Sequence, residues 1–343
     1  MPQTPREIVT RCLRFQHPER MPRDLWTLPW AHTHCPDTVA EIQRRFPSDF
    51  GGTPAVYRPS AVAGGDPYVV GEYTDDWGCV FTNIQAGVHG EIHDPVIADI
   101  ADWESVRPPY DTLPEDWDAA RDAVNRACGE TDLFIKSGSC SRPWERIQFL
   151  LGSASAMMEL MEPERGFGPL LERIHEFYLK ELEFWVSTDI DAIMFMDDWG
   201  AQSQLLIPPP LWQEFFKPLY RDYCEMAHAH DKFAFMHSDG HISEVYEDLI
   251  EVGVDAVNSQ LFCMDMADLE QRAKGRITFW GEIDRQHVLP SSDPQAGRDA
   301  VQKVASHLYD PSGGIIAQYE LGAGANPDTA IAVWEEWEKV QQQ

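Results

Sequence analysis

The stretch FAFMHSDGHISEVYEDLIEVGVDAVNS, residues 233–259, contains the pattern that decides the fold. An apolar run, FAFMH, is followed by a short polar segment and a second apolar run, DAVNS, closes the stretch. Between them lies a helical pattern whose apolar residues share one face: Ile242, Val245, Leu249 and Val252. Gly253 suits the C-terminal cap of that helix, because glycine adopts the left-handed conformation at little cost. Strand, helix and strand in this order predict a βαβ unit of a parallel sheet.

The same alternation extends over the rest of the chain beyond residue 130. Further buried strands are predicted at LFIKSG (133–138), DAIMFMD (191–197), RITFWGE (276–282) and GIIAQYE (314–320). A helix is predicted over 209–230, with a kink at Pro218. No GxGxxG or GxxxxGK[ST] motif supports a nucleotide-binding doubly wound sheet. The sequence therefore predicts an α/β protein with a (β/α)8 TIM barrel.

The first 130 residues follow a looser pattern that is rich in Pro, Gly and Trp. Within YTDDWGCVFTNIQAGVHGEIHDP (73–95), residues alternate on either side of QAG, which predicts a β-hairpin. No Ser/Gly-rich or charged tether separates this region from the rest. We therefore expect one domain over residues 1–343, with the hairpin as an N-terminal elaboration of the barrel.

The charge and the cysteine content indicate which binding partners are disfavoured and which cellular compartment is expected. The chain has 27 Lys and Arg against 57 Asp and Glu, a formal charge of −30, which disfavours nucleic acid and anionic membrane surfaces. Its seven cysteines are scattered and form no CxxC pair, as expected of reduced thiols in a cytoplasmic protein. Neither a signal peptide nor a membrane span is apparent. The sequence leaves open whether the protein is a homodimer.

Polar residues that end the predicted strands are the first candidates for chemistry, because barrel active sites form at the C-terminal ends of the strands. They are Asp197, Asp198 and Trp199, His237 and Asp239, Glu282 and Asp284, and Glu320. Carboxylates and an imidazole gathered there can bind a metal ion or act as general acids and bases. The plainer alternatives are a helix cap for Asp198 or Asp239 and a core histidine for His237.

Four other histidines are weaker candidates for functional residues. His228 and His230 lie near the end of the helix that precedes FAFMH, on the side of the barrel opposite the strand ends, and are expected at the surface. His89 and His93 belong to the hairpin and are also expected at the surface.

At these strand ends the sequence resembles the uroporphyrinogen decarboxylase superfamily, which includes corrinoid and coenzyme M methyltransferases. The resemblance is best over 130–340 and rests on MFMDDWGAQ, KPLY, GSCSRPWERIQFLLG and HSDGHISEVYEDLIEVGVDAVN. It implies a distorted (β/α)8 barrel.

The sequence departs from the known patterns of both branches of the superfamily and leaves the branch open. The decarboxylase branch has an Arg-rich N-terminal segment and a C-terminal Gly-His-Gly, where this chain has RMPRDLWTLPWAHTHC and ELGAGANP. The methyltransferase branch binds zinc through His-x-Cys and a later Cys, and this chain has His237, Asp239 and Ala323 at those positions, with Glu320 close by. Carboxylates in place of thiolates favour harder metals and oxygen or nitrogen substrates.

The resemblance implies a methyltransferase that moves a methyl group from a small O- or N-methyl donor to the corrinoid of a partner protein, assisted by zinc or another divalent metal. A decarboxylase of a tetrapyrrole or smaller carboxylic acid is the alternative, followed by a non-catalytic ligand-binding barrel. The expected metal ligands are His237, Asp239 and Glu320. The expected catalytic residues are Asp197, Asp198 and Asp239. The expected substrate-binding residues are Trp26, Trp199, Gln202, His241 and Glu282.

Overall fold

Eight short parallel strands form a closed ring at the centre of the computed structural model, which describes residues 2–342. In chain order the strands are β1 (Arg23–Thr27), β2 (Phe50–Gly51), β3 (Gly71–Thr74), β4 (Val80–Asn83), β5 (Glu91–Ile92), β6 (Phe134–Ile135), β7 (Ala192–Met196), β8 (Phe233–Ser238), β9 (Ala256–Ser259), β10 (Thr278–Trp280) and β11 (Ile315–Leu321). The ring contains all of these except β3, β4 and β5.

Helices surround the ring and connect its strands. They are α1 (Pro5–Leu13), α2 (Pro29–His34), α3 (Pro36–Arg45), α4 (Trp117–Gly129), α5 (Pro143–Leu151), α6 (Ser153–Met161), α7 (Phe167–Val186), α8 (Pro209–Phe215), α9 (Lys217–Ala229), α10 (Tyr246–Val252), α11 (Met266–Ala273), α12 (Pro294–Leu308) and α13 (Pro327–Val340). Helix after strand throughout the second half is the arrangement of a (β/α)8 barrel.

The ring closes through regular pairing on one side and through single contacts on the other. Strands β7, β8, β9, β10, β11 and β1 pair in parallel in that order, and β2 pairs in parallel with β6. A bridge between Lys136 and Ala192 joins β6 to β7. The N–H of Asp49 donates to the carbonyl of Arg23 at 2.9 Å and joins β2 to β1. The barrel is therefore distorted where its shortest strands lie.

Aromatic side chains fill the inside of the ring. Phe50, Phe134, Phe235 and Trp280 are buried there and contact one another edge to face or offset, with ring centroids between 5.1 and 6.2 Å apart. Each ring removes a large apolar area from water, and edge-to-face pairs add to that gain. The interior is a packed core and leaves the strand ends as the place for a site.

The predicted strands and helices are confirmed with small changes of boundary. The helix predicted over 209–230 is two helices, α8 and α9, which meet at Phe216 beside Pro218. Helix α10 ends at Gly253, whose φ of 97° is the left-handed conformation expected of a glycine cap. The hairpin around QAG is formed by β4 and β5, and β3 adds a third antiparallel strand to it.

None of the helices described in residues 2–342 is both long enough and apolar enough to cross a membrane.

Asp49 stabilises the side of the ring that contains its shortest strands, β2 and β6. Its carboxylate, 1% exposed, accepts hydrogen bonds from Arg20 at 2.7 and 2.5 Å and from the N–H of Arg23 at 2.8 Å. We predict that Asp49→Ala lowers the free energy of unfolding by about 2–4 kcal/mol, because it leaves both donors unpaired in a largely buried place. Urea unfolding measures this change. The exposed Asp94→Ala is the control, and an equally small loss in both variants would contradict this role.

Candidate functional site

Three side chains converge just beyond the C-terminal ends of two adjacent strands. Asp198 follows β7, His237 is the penultimate residue of β8, and Asp239 follows β8. The Nε2 atom of His237 lies 3.6 Å from a carboxylate oxygen of Asp198 and 3.6 Å from one of Asp239. One potential ligand atom of each residue lies within 4.8 Å of the others. These three residues are called the triad below.

The orientation of the His237 ring is fixed from the neighbouring strand. Its Nδ1 lies 2.6 Å from Oδ1 of Asn258 on β9, and the amide nitrogen of Asn258 donates to the carbonyl of Trp280 at 2.5 Å. Because a carbonyl only accepts, the Asn258 amide nitrogen must face Trp280 and its oxygen must face the ring. The proton of the neutral ring is therefore on Nδ1, and the lone pair of Nε2 points to the two carboxylates.

This arrangement is incomplete without a positive charge between the three groups. A lone pair and two carboxylate oxygens repel one another, and Oδ1 of Asp239 is buried with no hydrogen-bond partner. The separations of 3.6 Å are close to the about 3.4 Å between two ligands of a tetrahedral zinc ion with bonds of about 2.1 Å. One nitrogen and two oxygen ligands fit zinc or a harder divalent cation.

Arg285, which follows β10, fixes the second carboxylate of the triad. Its guanidinium pairs with the other oxygen of Asp239, with Glu320 at 2.8 Å and more distantly with Glu282 at 3.8 Å. Glu320, which the sequence predicts as a metal ligand, lies outside the triad, and its carboxylate pairs with Arg285. Asp198 is the third member of the triad.

Glu282 is the most buried acid at this end of the barrel. Its side chain is 2% exposed, and burial raises its pKa to about 8, with Arg285 opposing the shift and Asp239 adding to it. It lines a cavity of about 260 Å³ together with Gln202, Gln260 and Arg285. Near neutral pH, Glu282 is therefore a protonated acid that faces a space large enough for a small ligand.

Two predicted site residues have structural roles instead. Asp197 is buried and accepts hydrogen bonds from the N–H groups of Trp144 and Glu145 and from the hydroxyl of Tyr220. It therefore caps α5, and its carboxylate is not available as a catalytic group. Trp199 is also buried, stacked on Trp144, with its indole N–H donated to Tyr220 at 2.8 Å. Its ring cannot contact a substrate in the cavity.

The other predicted residues lie at different distances from the triad. The ring centroid of Trp26 is 5.4 Å from that of His237, so its indole forms part of the floor below the triad. Gln202 is exposed and lines the cavity beside Glu282. His241 is bound to the carbonyl of Cys263 at 2.9 Å and to Glu244 at 3.3 Å, so it anchors a loop. Neither Asp198 nor Asp239 caps a helix, which was the plainer alternative for each; Asp198 accepts the N–H of Asp239.

Sequence reasoning missed three residues of the site. Asn258 is a polar residue in the middle of a buried strand run, and Arg285 follows directly after the strand-end acids of WGEID. Both of these signals are visible in the sequence. Glu145, in the first turn of α5, has a buried carboxylate oxygen without a partner, and burial raises its pKa, with Asp198 adding to the shift. Nothing in the local pattern around Glu145 indicates this position.

Comparisons with known proteins give a family and a fold. The model of the uroporphyrinogen decarboxylase (URO-D) family matches residues 76–339. A methyltransferase from Methanosarcina mazei has a similar structure, with a TM-score of 0.69 and 12% identity over 98% of this chain and 99% of that one. A psychrophilic family 10 endo-β-1,4-xylanase reaches a TM-score of 0.40, with 10% identity over 93% of this chain and 89% of that one. No curated protein matches the chain in sequence.

The raised pKa of Glu282 makes stability depend on pH. Between the ordinary glutamate pKa and about 8, the folded state holds a proton that the unfolded state has released. Stability therefore falls as pH rises, by up to about 1.4 kcal/mol per pH unit for this one group. We predict that Glu282→Gln gains stability relative to the wild type between pH 5.5 and 8 in urea unfolding. The exposed Glu130→Gln should show no such gain, and parallel curves for Glu282→Gln and the wild type would contradict the shift.

Proposed function

Because the chain belongs to the uroporphyrinogen decarboxylase (URO-D) family, we propose that it is an enzyme of the methyltransferase kind within that superfamily. It moves a methyl group from a small O- or N-methyl donor to the corrinoid of a partner protein, assisted by a divalent metal ion. The observation that carries this proposal is the triad, in which Nε2 of His237 lies 3.6 Å from a carboxylate oxygen of Asp198 and 3.6 Å from one of Asp239.

The ligand atoms of the triad indicate which kind of methyl donor the site would favour. His237, Asp198 and Asp239 would hold the metal, which as a Lewis acid would polarise the oxygen or nitrogen that carries the methyl group. Oxygen ligands favour harder metals and substrates than thiolates do. An ether or a methylated amine is therefore a better match than a thiol.

Two side chains of the protein orient the triad, and a third would supply a proton to the leaving group. Asn258 holds the proton of His237 on Nδ1, and Arg285 holds one oxygen of Asp239 away from the triad. When the bond to the methyl group breaks, its electron pair stays on the oxygen or nitrogen of the donor. Glu282, protonated near neutral pH, can pass its proton to that atom and so neutralise the leaving group. The cavity of about 260 Å³ limits the donor to a small molecule.

The acceptor of the methyl group would come from outside the chain. Gln202, Gln260 and Gln286 line the open side of the barrel mouth near the triad. A corrinoid carried by a partner protein would approach from this side. Methyl transfer to added free corrinoid tests the reaction without that partner.

Decarboxylation is less well supported by the charges at the mouth. A substrate carboxylate needs a free guanidinium or ammonium group to bind. In the cavity that Glu282 lines, the arginine is Arg285, which is paired with Asp239 and Glu320 and so does not offer one. A barrel without catalysis would also have to leave Oδ1 of Asp239 buried and unpaired at a cost of about 1–3 kcal/mol.

Metal content is the first test of the proposal. We predict about one equivalent of zinc or another divalent ion per chain after purification, and its loss in His237→Ala, Asp198→Asn and Asp239→Asn. Asn258→Ala should weaken metal binding about 10- to 100-fold, because it removes the group that orients His237. Glu320→Gln, outside the triad, should retain the metal. A folded wild type that binds no divalent ion would contradict the proposal.

Turnover is the second test. We predict that cob(I)alamin is methylated, as followed by its absorbance, with at least one donor from a panel of methoxy compounds and methylamines. Glu282→Gln should slow the reaction about 100-fold or more with little change in metal content, because it removes the proton donor. Glu130→Gln is the matched control. Decarboxylation of uroporphyrinogen without methyl transfer would favour the alternative function.

A further inference from the structure

A second cavity, of about 340 Å³, lies beside the barrel under the N-terminal hairpin. Its walls come from the β3–β4 hairpin, from the segment that follows β6 and from α7. The triad residues and Glu282 do not line it. It is lined by Tyr57, Tyr73, Asp75, Asp76, Trp77, Pro109, Thr112, Gly138, Ser139, Cys140, Arg142, Arg146, Phe177, Tyr178 and Glu181.

One ion pair in this wall is already satisfied. Arg146 donates to Asp75 at 2.5 Å, and both side chains are largely buried. The other oxygen of Asp75 accepts the N–H groups of Trp77 and Cys79. This pair joins the turn between β3 and β4 to α5 and neutralises both charges, while Nε of Arg146 is buried without a hydrogen-bond partner.

Three further charged side chains in the wall have no such partner in the described part of the chain: the exposed Asp76 and two partly buried ones. Arg142, directly before α5, and Glu181, on α7, are both partly buried and both face the cavity. Neither forms an ion pair with any residue in the described part of the chain. The carboxylic acid that acts most strongly on Arg142 is Glu145, and the group that acts most strongly on the Glu181 carboxylate is the Tyr57 hydroxyl. No ion pair joins Arg142 to Glu181, so each would gain from an opposite charge placed beside it in the cavity.

The remaining walls are aromatic. Trp77 packs edge to face against Phe177 with ring centroids 5.2 Å apart, and Tyr178 lies beside both. Tyr57, which also lines the cavity, accepts a hydrogen bond from Trp185 at 2.7 Å, and this contact fixes its ring. Aromatic faces attract ammonium groups and pack well against apolar side chains.

We propose that this second cavity binds a free amino acid as a zwitterion, with its carboxylate on Arg142 and its ammonium group on Glu181. Arginine binds a carboxylate through two parallel hydrogen bonds. A simple carboxylate would leave Glu181 uncompensated, and a simple amine would leave Arg142 uncompensated. The volume accommodates an amino acid with an apolar or aromatic side chain. This site is separate from the triad and is independent of the proposed methyl transfer.

Binding should respond to pH through Glu181. Burial raises the pKa of its carboxyl to about 7, Tyr57, Arg142 and Arg146 lower it, and Asp76 raises it. An ammonium group beside Glu181 favours the ionised form. The affinity for the amino acid should therefore rise between pH 6 and 8, and the rise should be absent in Glu181→Gln.

Thermal unfolding of the full chain with each of the twenty free amino acids, at millimolar concentration, tests the proposal. We expect at least one of them to raise the Tm and to bind in calorimetry. Its amine lacking the carboxylate and its acid lacking the amino group should each bind at least about tenfold more weakly, since each loses one charged interaction. If no amino acid binds, or if either single-charge analogue binds as tightly as the amino acid, the proposal is wrong.

Matched variants assign the binding to this cavity. Arg142→Met and Glu181→Gln should each weaken amino-acid binding about 10- to 100-fold. Glu183→Gln, two residues along α7 with an exposed side chain paired to Lys180, should bind like the wild type. Circular dichroism confirms that each variant is folded. Unchanged affinity in folded Arg142→Met or Glu181→Gln would overturn the assignment, whatever the outcome for methyl transfer.

Discussion

The hydrogen bond between His237 and Asn258 is the interaction on which the candidate site depends. The two residues are direct partners in the parallel register of β8 and β9, and Asn258 is held in turn by the carbonyl of Trp280 on β10. Three adjacent strands of the barrel therefore determine which nitrogen of His237 carries the proton. Because backbone register fixes this chain of contacts, the direction of the Nε2 lone pair is a property of the fold.

The charges around that lone pair are arranged in two groups. Asp198, His237 and Asp239 form a concave set of ligand atoms with no positive charge of their own. Arg285 pairs with Glu320 and with one oxygen of Asp239 on the other side, and burial keeps Glu282 protonated near neutral pH although Arg285 opposes this shift of its pKa. A candidate cation-binding group and a buried acid thus lie at one barrel mouth, and the proposed metal-assisted transfer from an ether or amine needs both.

The sequence predicted the parts of this structure that have strong local patterns. The apolar runs after residue 130 became barrel strands, and Gly253 capped its helix as expected. Strands β1 and β2 were not predicted, because RDLWT has few apolar residues and Phe50–Gly51 is too short to show a pattern.

At the site, their position at a strand end made His237 and Asp239 candidates, but it did not show which other side chains lie beside them. Asp197 and Asp198 are adjacent in sequence, and only tertiary contacts show that the first caps α5 and the second faces His237. Glu320 is a candidate ligand by its position at a strand end, and only the tertiary structure shows that Arg285, from another strand end, pairs with it.

An anomalous diffraction map from crystals of the protein equilibrated with zinc, recorded at the zinc absorption edge, tests the central claim most directly. The account predicts one strong peak bonded to Nε2 of His237 and to carboxylate oxygens of Asp198 and Asp239, with Asn258 still bound to Nδ1. A map with no peak at the triad, or with His237 bonded to zinc through Nδ1, would contradict it.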